Sequence, residues 1–472
     1  MMKHLRTLAW SLALLASATA HAQSDSTPKL HHLSALQAAE MALQQRTEVL
    51  SAQIDVKNQD AVNKEVTGTA YPQIKGNMGL SKNFKIPVTI LPDFISPSVY
   101  GVLEKEDVRD GNGNPITWSG EINTFPAAFG VPWQASLGVS IQQLLFQPDV
   151  FIGLKARETA MDLYRNQLKV IEDTVKSNVL QTYYGVLISE RGLQFTKESR
   201  DRLTQLYKDQ EQLFKNGFIE KLDLDKTRVN LNNVNTSVTR LNNMVSLSYS
   251  ALKFALGIPQ QDSLHLTDSL SMEQLRRDVF GYEQDFNYEN RNEIKTFNTR
   301  NKLLELQIRR YKIGAYPTVA AFWNMQTSAQ RQRFSFFDTG DRWFFSNVAG
   351  VNVSVPLTDG WQRRNKVKQA EYALEKSNLT INQFKQVIDL QIVSSRTSFT
   401  NSLDALNAQI ENKDLAERVF ATTKTKYERG LGSSFELLQS ETSLQEALAN
   451  YYQAMYNAVV AKLNYLRALG RL

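Results

Sequence analysis

Two stretches of this chain read as the same tight reversal between long helices. The first is Phe214–Asp225, F-K-N-G-F-I-E-K-L-D-L-D, and the second is Tyr427–Leu444, Y-E-R-G-L-G-S-S-F-E-L-L-Q-S-E-T-S-L. Gly217 pairs with Gly430, Asp223 with Glu436 and Leu231 with Leu444, all at a spacing of 213 residues (430 − 217). Glycine is the usual residue just past a helix C-terminus, and Ser433 or Ser434 is a natural N-cap for the helix that follows. Two helical hairpin tips at one spacing point to a tandem duplication, which constrains every other element.

Residues 1–22 read as a secretory signal, with basic Lys3, His4 and Arg6, an apolar run Leu8–Ala16 and an Ala20-His21-Ala22 cleavage site. The apolar run is too short to span a bilayer, which disfavours the alternative of a membrane anchor. The chain has no cysteine, so neither a disulfide nor a lipidated cysteine is available. Removing Lys3 and Arg6 lowers the net charge of +6 to about +4 (6 − 2), too weak a balance to imply nucleic acid. No later apolar run reaches the length of a membrane helix.

After the signal the periodicity gives a helix over Leu33–Thr67, ended by Gly68 and Pro72. The period then changes from 3.6 to 2 in Tyr71–Phe84 and Trp133–Gln142, with a Pro-, Gly- and Asn-rich loop of some 45 residues between them. A helical pattern over Pro148–Lys215 follows, about 100 Å long at 1.5 Å per residue. The tip at Gly217 leads to a return helix, Leu222–Leu256, and Gln260–Phe286 is a mixed connector. The order then repeats: a helix over Asn287–Ile313, strands over Thr318–Ser328 and Phe345–Val355, a long helix Trp361–Glu428, the tip at Gly430 and a last helix. The junction Tyr316-Pro317 echoes Tyr71-Pro72, and Leu469-Gly470 echoes Leu256-Gly257. Residues 23–259 and 287–472 are thus the two expected repeats, joined by 260–286.

The five tryptophans after the signal, at 118, 133, 323, 343 and 361, lie in or beside the strands, as do Phe84, Phe94, Phe129, Phe334, Phe336, Phe337, Phe344 and Phe345. Alternating strands of about ten residues flanked by aromatics are the signature of a membrane barrel with a wet lumen. A soluble β-sandwich shares the alternation, but four isolated strands make a poor soluble core. Four strands cannot close a barrel in lipid, so several chains must contribute. Two copies give eight strands with a filled interior, whereas three give twelve and a bore, and a cyclic trimer is expected.

In its duplicated helix–strand–strand–helix–tip–helix order, its two Tyr-Pro junctions and its second tip pattern Y-x-x-G-(x)4-F-x-L-L, the mature chain resembles the TolC family of trimeric outer-membrane channels. The resemblance implies an α+β membrane protein: a trimeric 12-stranded β-barrel, four strands per chain, continued by a long α-helical coiled-coil tunnel through the periplasm. It implies a passive outer-membrane export duct of a tripartite efflux or type I secretion system, gated at its periplasmic tips. The partners implied are a periplasmic adaptor protein, an inner-membrane pump and outer-membrane lipid. The cargo stays open. The long first strand loop departs from compact members of that family. The rival reading is an exported coiled-coil scaffold or adhesin without a pore.

Candidate site residues fall at the tips. Gly217, Phe218, Ile219, Gly430, Leu431, Gly432 and Ser433 combine apolar side chains with glycines, a pattern that marks docking surfaces as well as ordinary turns, and the resemblance assigns adaptor contact here. Asp223 and Glu436 each stand one turn past a tip, and in a trimer a ring of such carboxylates would favour cations. Gln439 stands where some relatives carry a second acid, so the expected ring is weaker. A Tyr427–Asp223 hydrogen bond between the hairpins is expected as a closing latch. Solvated helix charge is the plain reading of Asp223, Glu436 and Glu441. Elsewhere Asp110-Gly111-Asn112-Gly113-Asn114 with Glu121 mimics a calcium loop, but Pro115 stands where the motif wants glycine, so a simple turn is expected. His31, His32 and His265 suggest no ligand set, and no enzyme constellation, metal site or cofactor motif is present.

Overall fold

The computed structural model describes residues 28–128, 130–269, 275, 286–338 and 340–472. The expected signal segment 1–22, Phe129 and much of the 260–286 connector lie outside the described residues. Eight α-helices and eight strands are found among the described residues. In chain order they are β1 Leu30–Leu33, α1 Ala35–Gln45, α2 Thr47–Gly68, β2 Gln73–Lys82, β3 Val88–Pro92, α3 Ile95–Lys105, β4 Thr124–Ala128 and β5 Trp133–Phe146. Next come α4 Pro148–Lys215, α5 Lys221–Leu256, β6 Ser263–Leu266, α6 Asn292–Ile313, β7 Thr318–Arg331, β8 Phe344–Ser354, α7 Gln362–Glu428 and α8 Ser434–Ala468.

The four long strands form one antiparallel sheet in the order β2–β5–β7–β8. Ladders run from Gln73↔Gln142 to Lys82↔Trp133, from Trp133↔Arg331 to Phe146↔Val319, and from Thr318↔Ser354 to Ser328↔Phe344. Only the central strands β5 and β7 are paired on both sides, so β2 and β8 each carry an unpaired backbone edge within the chain. Strands β2, β3, β4, β5, β7 and β8 with the adjoining helix ends, 62–155 and 307–368, form one compact unit; the described residues up to 61, with 156–306 and 369–472, form the other, which includes β1 and β6. Each unit draws on both halves of the sequence.

Four apolar clusters hold the helical unit, three of them large. In the first half Val179, Tyr183 and Val186 of α4 pack on Ala38 and Ala42 of α1, Val49 of α2, and Leu252 and Leu256 of α5. The Tyr183 hydroxyl, buried with them, donates to the Leu33 carbonyl at 2.8 Å. In the second half Ile388, Ile392 and Phe399 of α7 pack on Ile294 of α6 and on Ala461 and Tyr465 of α8. A third cluster joins the halves, with Ile188 of α4 against Leu406 of α7 and Met455, Ala458 and Val459 of α8. Residues three and four apart supply each stripe, as an amphipathic helix requires.

Three features differ from the sequence expectation. The first helix is broken at Arg46, whose backbone is extended (φ −67°, ψ 129°). No glycine or proline marks that break; Arg46 instead lies 4.3 Å over the Phe254 ring and donates to the Phe254 carbonyl, so a tertiary contact sets it. Secondly, the loop between β2 and β5 contains a β3–β4 hairpin and helix α3. Its strands are short, each holds a proline, and some thirty residues separate them, which removes the usual hairpin signal. Thirdly, β1 and β6 form a parallel two-stranded ribbon with His32 opposite His265. His31 Nε2 meets Asp262 at 2.9 Å there, and the His32 and His265 rings lie 5.0 Å apart. In the calcium-like segment, Asp110 Oδ1 accepts from the backbone N–H groups of Asn112 and Asn114 at 2.9 Å each, an aspartate-closed turn.

Candidate functional site: the hairpin ends

Both reversals close with the same backbone geometry. Gly217 has φ 79° and Gly430 φ 76°, the left-handed region that L side chains avoid. At the first, Gly217 N–H donates to Phe214 and Phe218 N–H to Leu213, both at 2.9 Å. At the second, Gly430 N–H donates to Tyr427 and Leu431 N–H to Lys426, again at 2.9 Å. Each is a Schellman closure, which satisfies the last carbonyls of α4 and α7. The same motif recurs at Gly257 and Gly470, ending α5 and α8. The exits differ. Ser433 caps α8, accepting from Glu436 N–H at 3.2 Å, whereas Glu220 before α5 makes no side-chain cap.

The apolar tip residues face water: Phe218 is 76% and Leu431 79% exposed, and Phe435 is exposed beside them. Ile219 and Gly432 are half-buried. Glu436 and Gln439 are both exposed, three residues apart on the first turns of α8. Asp223 is half-buried and its carboxylate lies 3.5 Å from Lys226 Nζ. The Tyr427 hydroxyl accepts from Gln210 Nε2 at 3.4 Å, a contact from α7 to α4. Within one chain, therefore, Asp223 and Tyr427 have separate partners, and the second hairpin meets the first through Gln210. That glutamine is fully buried and its Oε1 has no partner.

Glu441 is not a solvated helix charge. It is 3% exposed and receives a bidentate guanidinium from Arg202, Nη2 to Oε1 at 2.8 Å and Nε to Oε2 at 3.1 Å. Ser199 Oγ donates to Glu441 Oε1 at 2.5 Å, and Gln445 Nε2 donates to Ser199 Oγ. Arg202 also lies 5.7 Å from the Phe195 ring centroid and 5.4 Å from that of Phe420. The clamp joins α4 to α7 and α8, just above an apolar contact of Leu203, Val234 and Leu438. Sequence reasoning passed over it. The available signal was an acid on the apolar stripe Leu437, Glu441, Leu444, Leu448, all buried positions of α8. Arg202 and Glu441 border a cavity of about 400 Å³ whose lining also includes Leu206, Phe420, Lys424 and Tyr427. Groups of three or more metal-ligating side chains are not found among the described residues.

Residues 289–471 match the family described as outer membrane efflux protein. The outer membrane protein TolC of Salmonella enteritidis is 21% identical over 345 residues, covering 72% of this chain and 70% of the relative. The alkaline protease secretion protein AprF of Pseudomonas aeruginosa is 18% identical over 336 residues, 71% of this chain and 68% of AprF. Among solved structures, CusC superposes with TM-score 0.68 at 15% identity, over 92% of this chain and 91% of its own. VceC of Vibrio cholerae gives TM-score 0.65 at 14% identity, over 92% of this chain and 96% of VceC. At such identities the solved structures speak for the fold: helix-rich, with long hairpins and a small antiparallel sheet. The matched segment and the curated relatives make the chain similar to outer-membrane efflux proteins, and the solved structures agree with it in fold.

Proposed function

We propose that this chain is a passive outer-membrane export duct of a tripartite efflux or type I secretion system. The observation that carries the reading is the open sheet β2–β5–β7–β8, four long strands with an unpaired edge on either side. Unpaired backbone groups are not tolerated in lipid, so the edges close against other copies. Three copies make a twelve-stranded barrel with a bore. The two halves, 23–259 and 287–472, are then tandem repeats that supply two strands and one helical hairpin each.

The helices extend into the periplasm, and the exposed tips at Gly217, Phe218, Ile219 and at Gly430, Leu431, Gly432, Ser433 receive a periplasmic adaptor protein that links the duct to an inner-membrane pump. Asp223, Tyr427, Glu436 and Gln439 form the gated aperture. The chain performs no covalent chemistry; energy and selection come from the pump. One relative is named for alkaline protease secretion and the matching family for efflux, the two kinds of system that this reading joins.

The test is assembly and conductance. Protein extracted with the outer membrane should sediment as a trimer in detergent and give discrete single-channel steps in planar bilayers. A stable monomer with its full β-content would overturn the reading.

A further inference from the structure

The two strand–helix junctions of the chain differ sharply in charge. Residues 307–317 and 355–368 hold Arg309, Arg310 and Lys312 at the end of α6, and Arg363, Arg364, Lys366 and Lys368 in the first turns of α7. Asp359 is the one acid there, so 25 residues carry +6 (7 − 1). The corresponding first-half residues, 62–72 and 142–155, hold Lys64 and Lys155 against Glu65 and Asp149, a net charge of zero. Both halves build the same turn from helix to strand and from strand to helix, so the fold does not require the basic belt. Cations in the opening turns of α7, with no acid in its first turn, also oppose the helix dipole.

Local partners absorb only part of the charge. Arg310 lies 3.6 Å from Asp149, and Arg363 donates to the Gly314 carbonyl at 3.2 Å while its backbone N–H donates to Asp359 at 3.0 Å. Arg364, Lys366 and Lys368 have no carboxylate partner among the described residues. Large apolar side chains stand in the open beside them. Leu357 is 93% and Trp361 69% exposed, and Arg364 lies 5.6 Å over the Trp361 ring. Trp361 has φ 68° and follows Gly360 at φ 59°, an unfavourable backbone for a bulky residue that holds the indole outside the helix.

Exposed tryptophan and leucine with unpaired cations at the ends of membrane strands match the headgroup layer of a bilayer, where indoles and long basic side chains lodge. We propose that the second-half junction is a binding surface for anionic phospholipid headgroups, with Arg364, Lys366 and Lys368 on the phosphates and Leu357 and Trp361 in the apolar layer. The inference rests on the duct reading, which places this junction at the periplasmic face of the outer membrane.

Full-length protein in detergent is titrated with phosphatidylglycerol or phosphatidylcholine, and lipid adducts are counted by native mass spectrometry. In parallel, brominated lipids of each class are used in nanodiscs to quench Trp361, isolated as the difference between wild type and Trp361→Phe. Phosphatidylglycerol should be retained at least about tenfold better, and the preference should fall as salt rises. The combined variant Arg364→Gln/Lys366→Gln/Lys368→Gln should lose it. Removing three exposed lysines of the helical unit, Lys169→Gln/Lys197→Gln/Lys208→Gln, should not. Equal retention of the two lipids by wild type, or an undiminished preference in the junction variant, overturns the inference. If the junction variant fails to fold, the wild-type comparison and the quenching of Trp361 still decide. A trimer that conducts yet shows no lipid preference refutes the surface alone, whereas a non-conducting monomer refutes the duct.

Discussion

Arg202→Met should cost more stability than Glu441→Gln, although both break the same ion pair. The two sides of the pair differ in access to water: the Glu441 side chain is 4% exposed and that of Arg202 29%. Removing the guanidinium strands a carboxylate with Ser199 Oγ as its remaining donor. An uncompensated buried charge costs about 3–5 kcal/mol, and local relaxation near the hairpin surface lowers this to roughly 2–4 kcal/mol. Glu441→Gln keeps an acceptor for Ser199 and leaves a cation that retains two aromatic faces and some water, a loss of about 1–2 kcal/mol. The double variant has no stranded charge, so its loss should resemble that of Glu441→Gln, which makes the coupling about 2 kcal/mol or more. The assay is denaturant unfolding of the detergent-solubilised protein at fixed protein concentration, followed by far-UV circular dichroism. Equal losses in the single variants that simply add in the double would refute the clamp as a shielded pair.

At the tips, Gly430→Val and Gly217→Val should each cost about 1–2 kcal/mol or more, because nothing crowds the added Cβ and the penalty is the left-handed backbone. Gly430→Asn should be nearly neutral; equal melting temperatures for the Val and Asn variants would show that this backbone is not maintained. Export should fall in the Val variants while trimers persist, read from secreted cargo and gel mobility. For pH, burial pushes the Glu293 carboxyl up, but the Arg291 guanidinium outweighs it and the group sits below its ordinary 4.5. Its stabilising contribution is present above pH 4.5 and is lost as pH falls through the depressed value. The melting-temperature gap between wild type and Glu293→Gln should therefore be full at pH 7 and shrink towards pH 3; a gap independent of pH contradicts it. Tyr427→Phe and Gln210→Leu should raise single-channel conductance alike with no further gain together, and Asp223→Ala should add to either. Additive Tyr427 and Gln210 effects would mean that their 3.4 Å contact does not restrain the aperture.

What was legible in the sequence was whatever has a local cause. The α4 pattern runs unbroken until Gly217, and α7 until Gly430, so the long helices end where the sequence reading placed them. Period-2 alternation located all four strands of the main sheet, short by several residues at Phe146 and Arg331, where pairing with a neighbour extends the strand past its own pattern. Contacts distant in sequence left no such trace. The break at Arg46 depends on Phe254, the β1 strand on a partner more than two hundred residues away, and the Glu441 clamp on Arg202 in the other half. Glu441 shows the difficulty most plainly. One acid after a serine-rich tip looks like solvent-facing helix, and only the apolar stripe around it reveals that it must be buried and paired.

The contrast between the halves separates what the backbone needs from what has been added to it. Glycines at 217 and 430, and at 257 and 470, stand 213 residues apart (430 − 217; 470 − 257) and close helices with the same hydrogen bonds. Those positions answer to geometry alone, because a side chain there would be strained in either half. The ionic residues of the clamp and most of those of the basic junction do not recur, although Asp223 matches Glu436 and Lys155 matches Lys368 at that spacing. At the same spacing Leu415 stands for Arg202 and Arg228 for Glu441, so a clamp of this kind cannot form from the corresponding residues. Likewise Val150, Phe151 and Gly153 stand where the second half has Arg363, Arg364 and Lys366. An ion pair that the fold itself demanded would appear at both positions, since both halves face the same packing problem. Charge confined to one half is instead available to do something once per chain, and in a symmetric assembly it would occur once per protomer around the axis. The buried pair then distinguishes the contact inside a chain from the contact between chains. In the proposed assembly, with α4 held to α8 by Arg202 and Glu441 inside each chain, hairpins of different chains would separate at less cost than hairpins of one chain.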